Sequence, residues 1–193
     1  MSKLKTFPLF NSRLSFILDN GLRAIVENVE KNILLMGIKP GMRVLEVGCG
    51  SGFVTGYLSE TVADSGFIIS IDIQEKMINK AKIKRGFLKN VDFRVENASD
   101  LKSVKDQEID LVLLYYSFHE ISSKDKAVSE FHRVLKQGGI LSLREPRPEV
   151  FRKDRQLYKE FIEGQGFESV GNAAICDLLG CHLKFIKKKG IGL

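Results

Sequence analysis

Cysteine is scarce in this 193-residue chain, with only three, at Cys49, Cys176 and Cys181. An odd, small count without a framework of spacings argues against a disulfide scaffold and fits a reducing compartment. The five-residue step from Cys176 to Cys181 is no zinc signature. Both are therefore expected as small buried hydrophobes, and no metal site is expected. The chain also lacks any run approaching the ~18 apolar residues of a membrane span. Its opening stretch, MSKLKTFPLFNSRLSF, carries charges and a proline where a signal peptide needs an apolar core. Internal repeats and low-complexity linkers are absent as well. Together these absences lead to the expectation of a soluble, cytoplasmic protein with no membrane partner.

What is present suits a single domain spanning residues 1–193. Hydrophobic residues make up 44% and charged residues 28%, enough for a real core. The net charge is +6, which would permit an acidic partner. Part of the excess sits in the tail at Lys187–Lys189, however, and the other basic residues are interspersed with acids. A nucleic-acid partner is therefore not expected.

Strand-like and helix-like segments alternate. RVLEVG, GFIISIDI, VDFRVENA, IDLVLLYYSF and ILSLREP read as strands, the fourth apolar almost throughout, as in the centre of a covered parallel sheet. GFVTGYLSETVA, QEKMINKAKIKRGF and KDKAVSEFHRVLKQGG read as helices. Met77, Ala81 and the Lys84 stem share a face of the second. The third is expected to stop at Gly138-Gly139. One or two helices precede the first strand, with Ser12 as an N-cap and a break at Asn20-Gly21. After Pro146 a helix ends at Gly164 or Gly166, and two strands follow, joined by a turn near Leu179-Gly180. The alternation predicts an α/β fold with a doubly wound, mostly parallel sheet and helices on both faces. In such a sheet ligands bind beyond the carboxyl ends of the strands.

RVLEVGCGSGF places glycines at 48, 50 and 52, directly after a buried strand. Such a loop permits positive φ and lets a ligand lie against bare main chain and a helix N-terminus. The dinucleotide pattern G-x-G-x-x-G would need its third glycine where Phe53 stands. Asp72 ends the second strand about 20 residues on, where a carboxylate accepts from a ribose diol. A nicotinamide dinucleotide and S-adenosylmethionine both carry that diol.

With these motifs in order (VLEVGCGSG, SIDIQEKM, ENASDL, IDLVLLYYSFHEI and RVLKQGGILSLREP) the chain resembles the class I S-adenosylmethionine-dependent methyltransferases from about Pro40 to its end. Within that family it is similar to the small-molecule enzymes of the ubiquinone/menaquinone and arsenite type. The resemblance implies a Rossmann-like sheet of seven strands with an antiparallel last strand, S-adenosylmethionine as cofactor, and a small-molecule methyl acceptor as partner. It also implies cofactor contacts. Glu46 steers the methionine amino end, and the loop of Gly48, Cys49, Gly50 and Gly52 lies beneath the cofactor. Asp72 holds the ribose, Ile73 and Ala98 pack on adenine, Asn97 takes the adenine amine, and Tyr115 sits by the methionine portion. The family often has aspartate where Asn97 stands, but an amide carbonyl can accept the same hydrogen bond.

For chemistry, His119 follows the fourth strand at the mouth of this site and is the candidate base, with Tyr116 as a second catalytic candidate. Tyr115 and Tyr116 would point to opposite faces if the strand persisted, so only one would line the pocket. His132 is expected on the surface, and His182 has no evident partner. Residues 1–38, with Phe7, Phe10, Arg13 and Phe16, are expected to form a helical lid. A nucleic-acid amino-methyltransferase would carry Asp/Asn-Pro-Pro-Tyr/Phe after the fourth strand, where this chain has YYSF. A non-catalytic cofactor-binding protein would share every feature of the cofactor loop.

Overall fold

The computed structural model describes residues 4, 6–9, 11, 27–146, 152–171, 175–177 and 179–188. The expectations at Phe10, Ser12, Arg13, Phe16 and Asn20-Gly21 lie outside the described residues. The elements run α1 (Val29–Met36), β1 (Arg43–Val47), α2 (Phe53–Val62), β2 (Phe67–Asp72), α3 (Glu75–Arg85), β3 (Val91–Val95) and β4 (Ile109–Tyr115). A 3-10 turn at Phe118–Glu120 follows, then α4 (Lys124–Val134), β5 (Leu135–Pro146), α5 (Arg152–Glu163), β6 (Phe167–Ser169), β7 (Ile175–Cys176) and β8 (Gly180–Lys187).

The sheet order is β3-β2-β1-β4-β5-β8-β6, seven strands on the main path, with the two-residue β7 beside β8. Strands β1 to β5 pair in parallel. β8 runs antiparallel to β5 and β6, as the resemblance implied. Strand order reverses between β1 and β4, which opens a crevice at their carboxyl ends.

Successive residues of a strand face opposite sides, so each inner strand feeds two cores. Val112 and Leu114 of β4 pack with Ala127, Phe131 and Val134 of α4 and with Ile162 of α5. Leu111 and Leu113 pack on the other side with Leu58 of α2 and with Ile33 and Met36 of α1. Helix α3 buries Met77, Ile78 and Ala81; Ile78 takes the place expected for the Lys84 stem, which is exposed. Ile33 and Met36 are fully buried, so α1 contributes to the core on this side of the sheet.

Three further expectations are corrected here. Helix α4 ends at Val134, and Gly138-Gly139 lie inside the irregular start of β5, where the register shifts. Leu135 is fully buried and pairs with Ile109, so sheet burial stops the helix before the glycines are reached. Lys187 Nζ donates to the carbonyls of His132 and Leu135 at 2.6 and 2.8 Å, satisfying the helix end instead. His132 is half-buried and packs edge-on against Phe167 at 5.3 Å. Cys176 and Cys181 form a disulfide between directly opposed residues of β7 and β8. A tight turn, closed by Asp177 accepting from the Leu179 and Gly180 amides, brings them face to face. The disulfide removes the premise on which a reducing compartment was expected.

Candidate functional site

The crevice between β1 and β4 widens into a cavity of about 550 Å³, within the roughly 300–1,000 Å³ of small-molecule sites. Its floor is the glycine loop. Gly48 has φ 74°, and a Cβ there would stand 2.5 Å from Ser117 Cβ. Gly50 has φ 56°, and its amide donates to Asp72 Oδ2 at 3.0 Å. Gly52 departs from the expected cofactor contact, because it does not line the cavity. A Cβ on it would meet Ala81 Cβ at 3.3 Å and Arg85 Cγ at 3.2 Å, so it is glycine to let α2 approach α3.

Asp72 is buried at the cavity wall, with Oδ1 accepting from the Gln74 amide at 2.8 Å. Burial pushes its carboxyl above the ordinary range, against the downward pull of the two amides. Glu46 Oε2 accepts from Thr55 Oγ1 at 2.6 Å and Ser70 Oγ at 2.7 Å. Its burial is nearly complete and raises its pKa to about 7. Cys49 lines the cavity, and burial holds its thiol well above the ordinary range, so it is neutral. Ile73 is 51% exposed yet lies on the cavity wall, an apolar face with no protein cover. Asn97 and Ala98 close that end, Asn97 Oδ1 accepting from the Ser99 amide at 2.9 Å.

At the other end the two tyrosines depart from the strand rule. Both line the cavity. β4 stops at Tyr115, and Tyr116 takes φ 59°, its amide donating to the Arg144 carbonyl at 2.7 Å. That twist brings the rings edge to face at 4.9 Å. Tyr115 donates to Glu27 Oε2 at 2.9 Å and accepts from Asn32 Nδ2 at 3.2 Å. The Tyr116 hydroxyl packs against Gly180, where an added Cβ would stand 2.9 Å from it. Tyr116 therefore supplies a ring wall to the cavity.

Behind both rings lies Arg144, fully buried, its guanidinium 5.6 and 5.5 Å from their centroids. It pairs with Asp177 at 2.8 and 3.0 Å and donates to His182 Nε2 at 2.6 Å. His182 thus has the partner the sequence did not reveal. Burial first, and then Arg144, push its pKa down to about 4, so it is neutral.

His119 reaches the cavity from the 3-10 turn, and its Nδ1 lies 2.6 Å from Oε2 of Glu145. Phe7 leans edge-on against the imidazole at 5.7 Å, and its amide donates to the His119 carbonyl at 3.0 Å. Thr6, Phe7 and Leu9 form part of the cavity wall. Lys124 Nζ ties this segment down by donating to Thr6 Oγ1 at 3.1 Å and to the His119 and Ile121 carbonyls at 3.2 and 2.7 Å. Sequence reasoning missed Glu145, Arg144 and Lys124. The signal for the first two was an adjacent base and acid inside ILSLREP, a run destined for burial, where charges persist only when paired.

Among the described residues no cluster of three or more His, Cys, Asp or Glu could hold a metal ion. None of their helices is long and apolar enough to cross a membrane.

Comparison with known proteins matches residues 38–185 to the family described as "Methyltransferase domain". The ubiquinone/menaquinone biosynthesis C-methyltransferase UbiE of Shewanella oneidensis is 33% identical over 132 residues, 65% of this chain and 52% of that protein. The chain thus spans about half the length of the curated relatives it matches. A SAM-dependent methyltransferase from Aquifex aeolicus superposes with a TM-score of 0.83 at 27% identity, covering 93% of this chain and all of that one. The arsenic(III) S-adenosylmethionine methyltransferase CrArsM of Chlamydomonas reinhardtii shares the fold, with a TM-score of 0.61 at 18% identity over 81% of this chain and 66% of its own.

Proposed function

Since the chain belongs to the class I S-adenosylmethionine-dependent methyltransferases, we propose that it transfers the methyl group of S-adenosylmethionine to a small molecule held beside His119. The observation that carries this reading is the convergence, in one cavity, of the bare main chain at Gly48 and Gly50, the Asp72 carboxylate and the uncovered face of Ile73. This donor set fits the cofactor. Each Asp72 oxygen spends one lone pair on an amide and keeps another for a ribose hydroxyl. Ile73 and Ala98 offer the adenine an apolar slot. Asn97 keeps acceptor capacity for the adenine amine. Glu46 sits where its charge meets the methionine ammonium. The cofactor supplies a methyl group on a sulfonium, an electrophile with its leaving group already activated.

The chain's own part is chiefly placement, which can contribute roughly 7–11 kcal/mol to lowering a barrier. Tyr115 and Tyr116 wall the acceptor end, Phe7 and Leu9 exclude water from above, and His119 accepts a proton from the acceptor. The cavity volume and the small-molecule chemistry in the name of the UbiE relative both support a small acceptor.

Titration calorimetry tests the reading directly: S-adenosylmethionine should bind and NAD should not, and a panel of small acceptors should reveal turnover. Heat with NAD alone would overturn it. Asp72→Ala should weaken S-adenosylmethionine binding at least tenfold, since a charged hydrogen bond is worth about 1.5–3 kcal/mol; unchanged affinity contradicts the ribose contact.

Two further outcomes follow from the geometry. Glu46 has a pKa of about 7, so acidification neutralises the carboxylate that attracts the cofactor ammonium. One unit below that pKa about one-tenth remains ionised. Affinity should therefore fall up to about tenfold from pH 8 to pH 6 in the wild type and stay flat in Glu46→Gln, as read by calorimetry. Deleting residues 1–11, which removes Phe7 while sparing α1, should lower turnover more than cofactor affinity. Equal losses in both would show that the segment is no lid.

A further inference from the structure

Glu145 is fully buried, and an unpaired carboxylate there would be very costly. It is held by three donors, all from the turn after β4. The Phe118 amide donates to Oε1 at 3.0 Å, the His119 amide to Oε2 at 3.1 Å, and Nδ1 of His119 meets Oε2 at 2.6 Å. The two amides fix the carboxylate, and the carboxylate fixes the ring. A proton on Nδ1, donated to Glu145, leaves the lone pair on Nε2, as in any imidazole whose far nitrogen is held by an acid.

We infer that Glu145 is the positioning residue of a His119 base, and that the methyl acceptor is an apolar or aromatic molecule whose nucleophilic atom carries a weakly acidic proton, a hydroxyl of the phenol kind. The acceptor half rests on the methyl-transfer reading above; the positioning half does not.

The walls argue for the body of that molecule. The edge of Phe7 stands against His119, and the rings of Tyr115 and Tyr116 and Ile121 line the same cavity. No lysine or arginine lines the described cavity to hold an anionic group. Glu120 Oε1 stands 3.7 Å from Nε2 and favours the imidazolium that proton uptake creates. Nucleophiles that carry no proton would have no use for a base held this firmly.

The step balances without a further reactant. The acceptor hydroxyl gives its proton to Nε2. Its oxygen pair forms the bond to the methyl carbon as the carbon–sulfur bond breaks. That bond's electrons remain on sulfur, which passes from sulfonium to neutral thioether. The imidazolium then returns its proton to water.

The test combines nitrogen-15 spectra of the histidine side chains, recorded without cofactor, with turnover on phenols of graded acidity. Wild-type His119 should show Nδ1 protonated and Nε2 bare at pH 8, and Glu145→Gln should lose that preference. With Glu145→Gln, turnover should fall about 100-fold on phenols of pKa about 10 and by less as the phenol grows more acidic, because an acceptor that ionises by itself needs the base less. Glu145→Asp, which keeps the charge on a shorter stem, should recover part of the loss. A protonated Nε2 in the wild type would overturn the positioning role, and this measurement needs no variant to fold. An equal loss across the phenol series would overturn it too, by marking Glu145 as merely structural. Wild-type turnover confined to acceptors lacking such a proton would overturn the acceptor class. If the protein binds no S-adenosylmethionine, the methyl-transfer reading and the acceptor class fall together, and the spectra still decide the dyad.

Discussion

His119→Gln should lower turnover by about 10²–10⁴-fold, the usual worth of a positioned base, with affinity for S-adenosylmethionine unchanged. The two effects separate because of where the histidine stands. It comes from the turn after β4, whereas Asp72 ends β2, and Ile73 and Asn97 follow β2 and β3. Glutamine keeps a buried donor for Glu145, so the carboxylate is not stranded and the turn should hold its place. What is lost is a ring nitrogen that can accept the proton. Steady-state kcat and calorimetric Kd together read the outcome. A drop in affinity matching the drop in turnover would mean that His119 supports the cofactor pocket and is no base.

The second large effect is expected at Gly48. Alanine there meets two penalties at once. The backbone sits at φ 74°, a left-handed conformation costing roughly 1–2 kcal/mol for a residue with a Cβ. The new methyl would stand 2.5 Å from Ser117 Cβ, and such overpacking costs about 1–3 kcal/mol. Ser117 cannot swing aside cheaply, because its hydroxyl donates to the Val47 carbonyl at 2.6 Å. Gly48→Ala should therefore destabilise the fold by about 2–5 kcal/mol and pry β1 from the β4 loop, abolishing cofactor binding. Urea denaturation and calorimetry measure the two losses. Adding Ser117→Gly should restore the overpacking part and leave the backbone part, a non-additivity expected only of residues in contact. An undisturbed urea midpoint in Gly48→Ala would show that the loop has another conformation available.

The glycine loop and its partners were legible because their signals are local. Gly48 and Gly50 need their φ angles from their own positions, and Asp72 ends its strand by its place in an apolar run. Even so, the loop's three glycines turned out to do different jobs. Gly52 serves helix packing, which depends on Ala81 and Arg85 some thirty residues away. The two-face rule for Tyr115 and Tyr116 failed for a similar reason. It assumes an unbroken strand, and the Arg144 carbonyl on β5 instead captures the Tyr116 amide as the backbone turns to positive φ. Gly138-Gly139 looked like a helix stop, yet burial of Leu135 against Ile109 ended the helix earlier.

The order of amino acids by itself determined the alternation of strands and helices, the bare loop after β1, the acid at the end of β2 and a histidine beyond β4. Each follows from side-chain period, backbone freedom or the burial of a short run, properties a few consecutive residues possess without neighbours. Only the tertiary structure decided that Glu145 would hold His119 from 26 residues away, that Arg144 would lie between Asp177 and the two tyrosines, and that Cys176 would bond to Cys181. Those pairings carry no periodicity. They exist because the sheet sets β5 beside both β4 and β8, and β7 beside β8, so that side chains on adjoining strands and their turns meet.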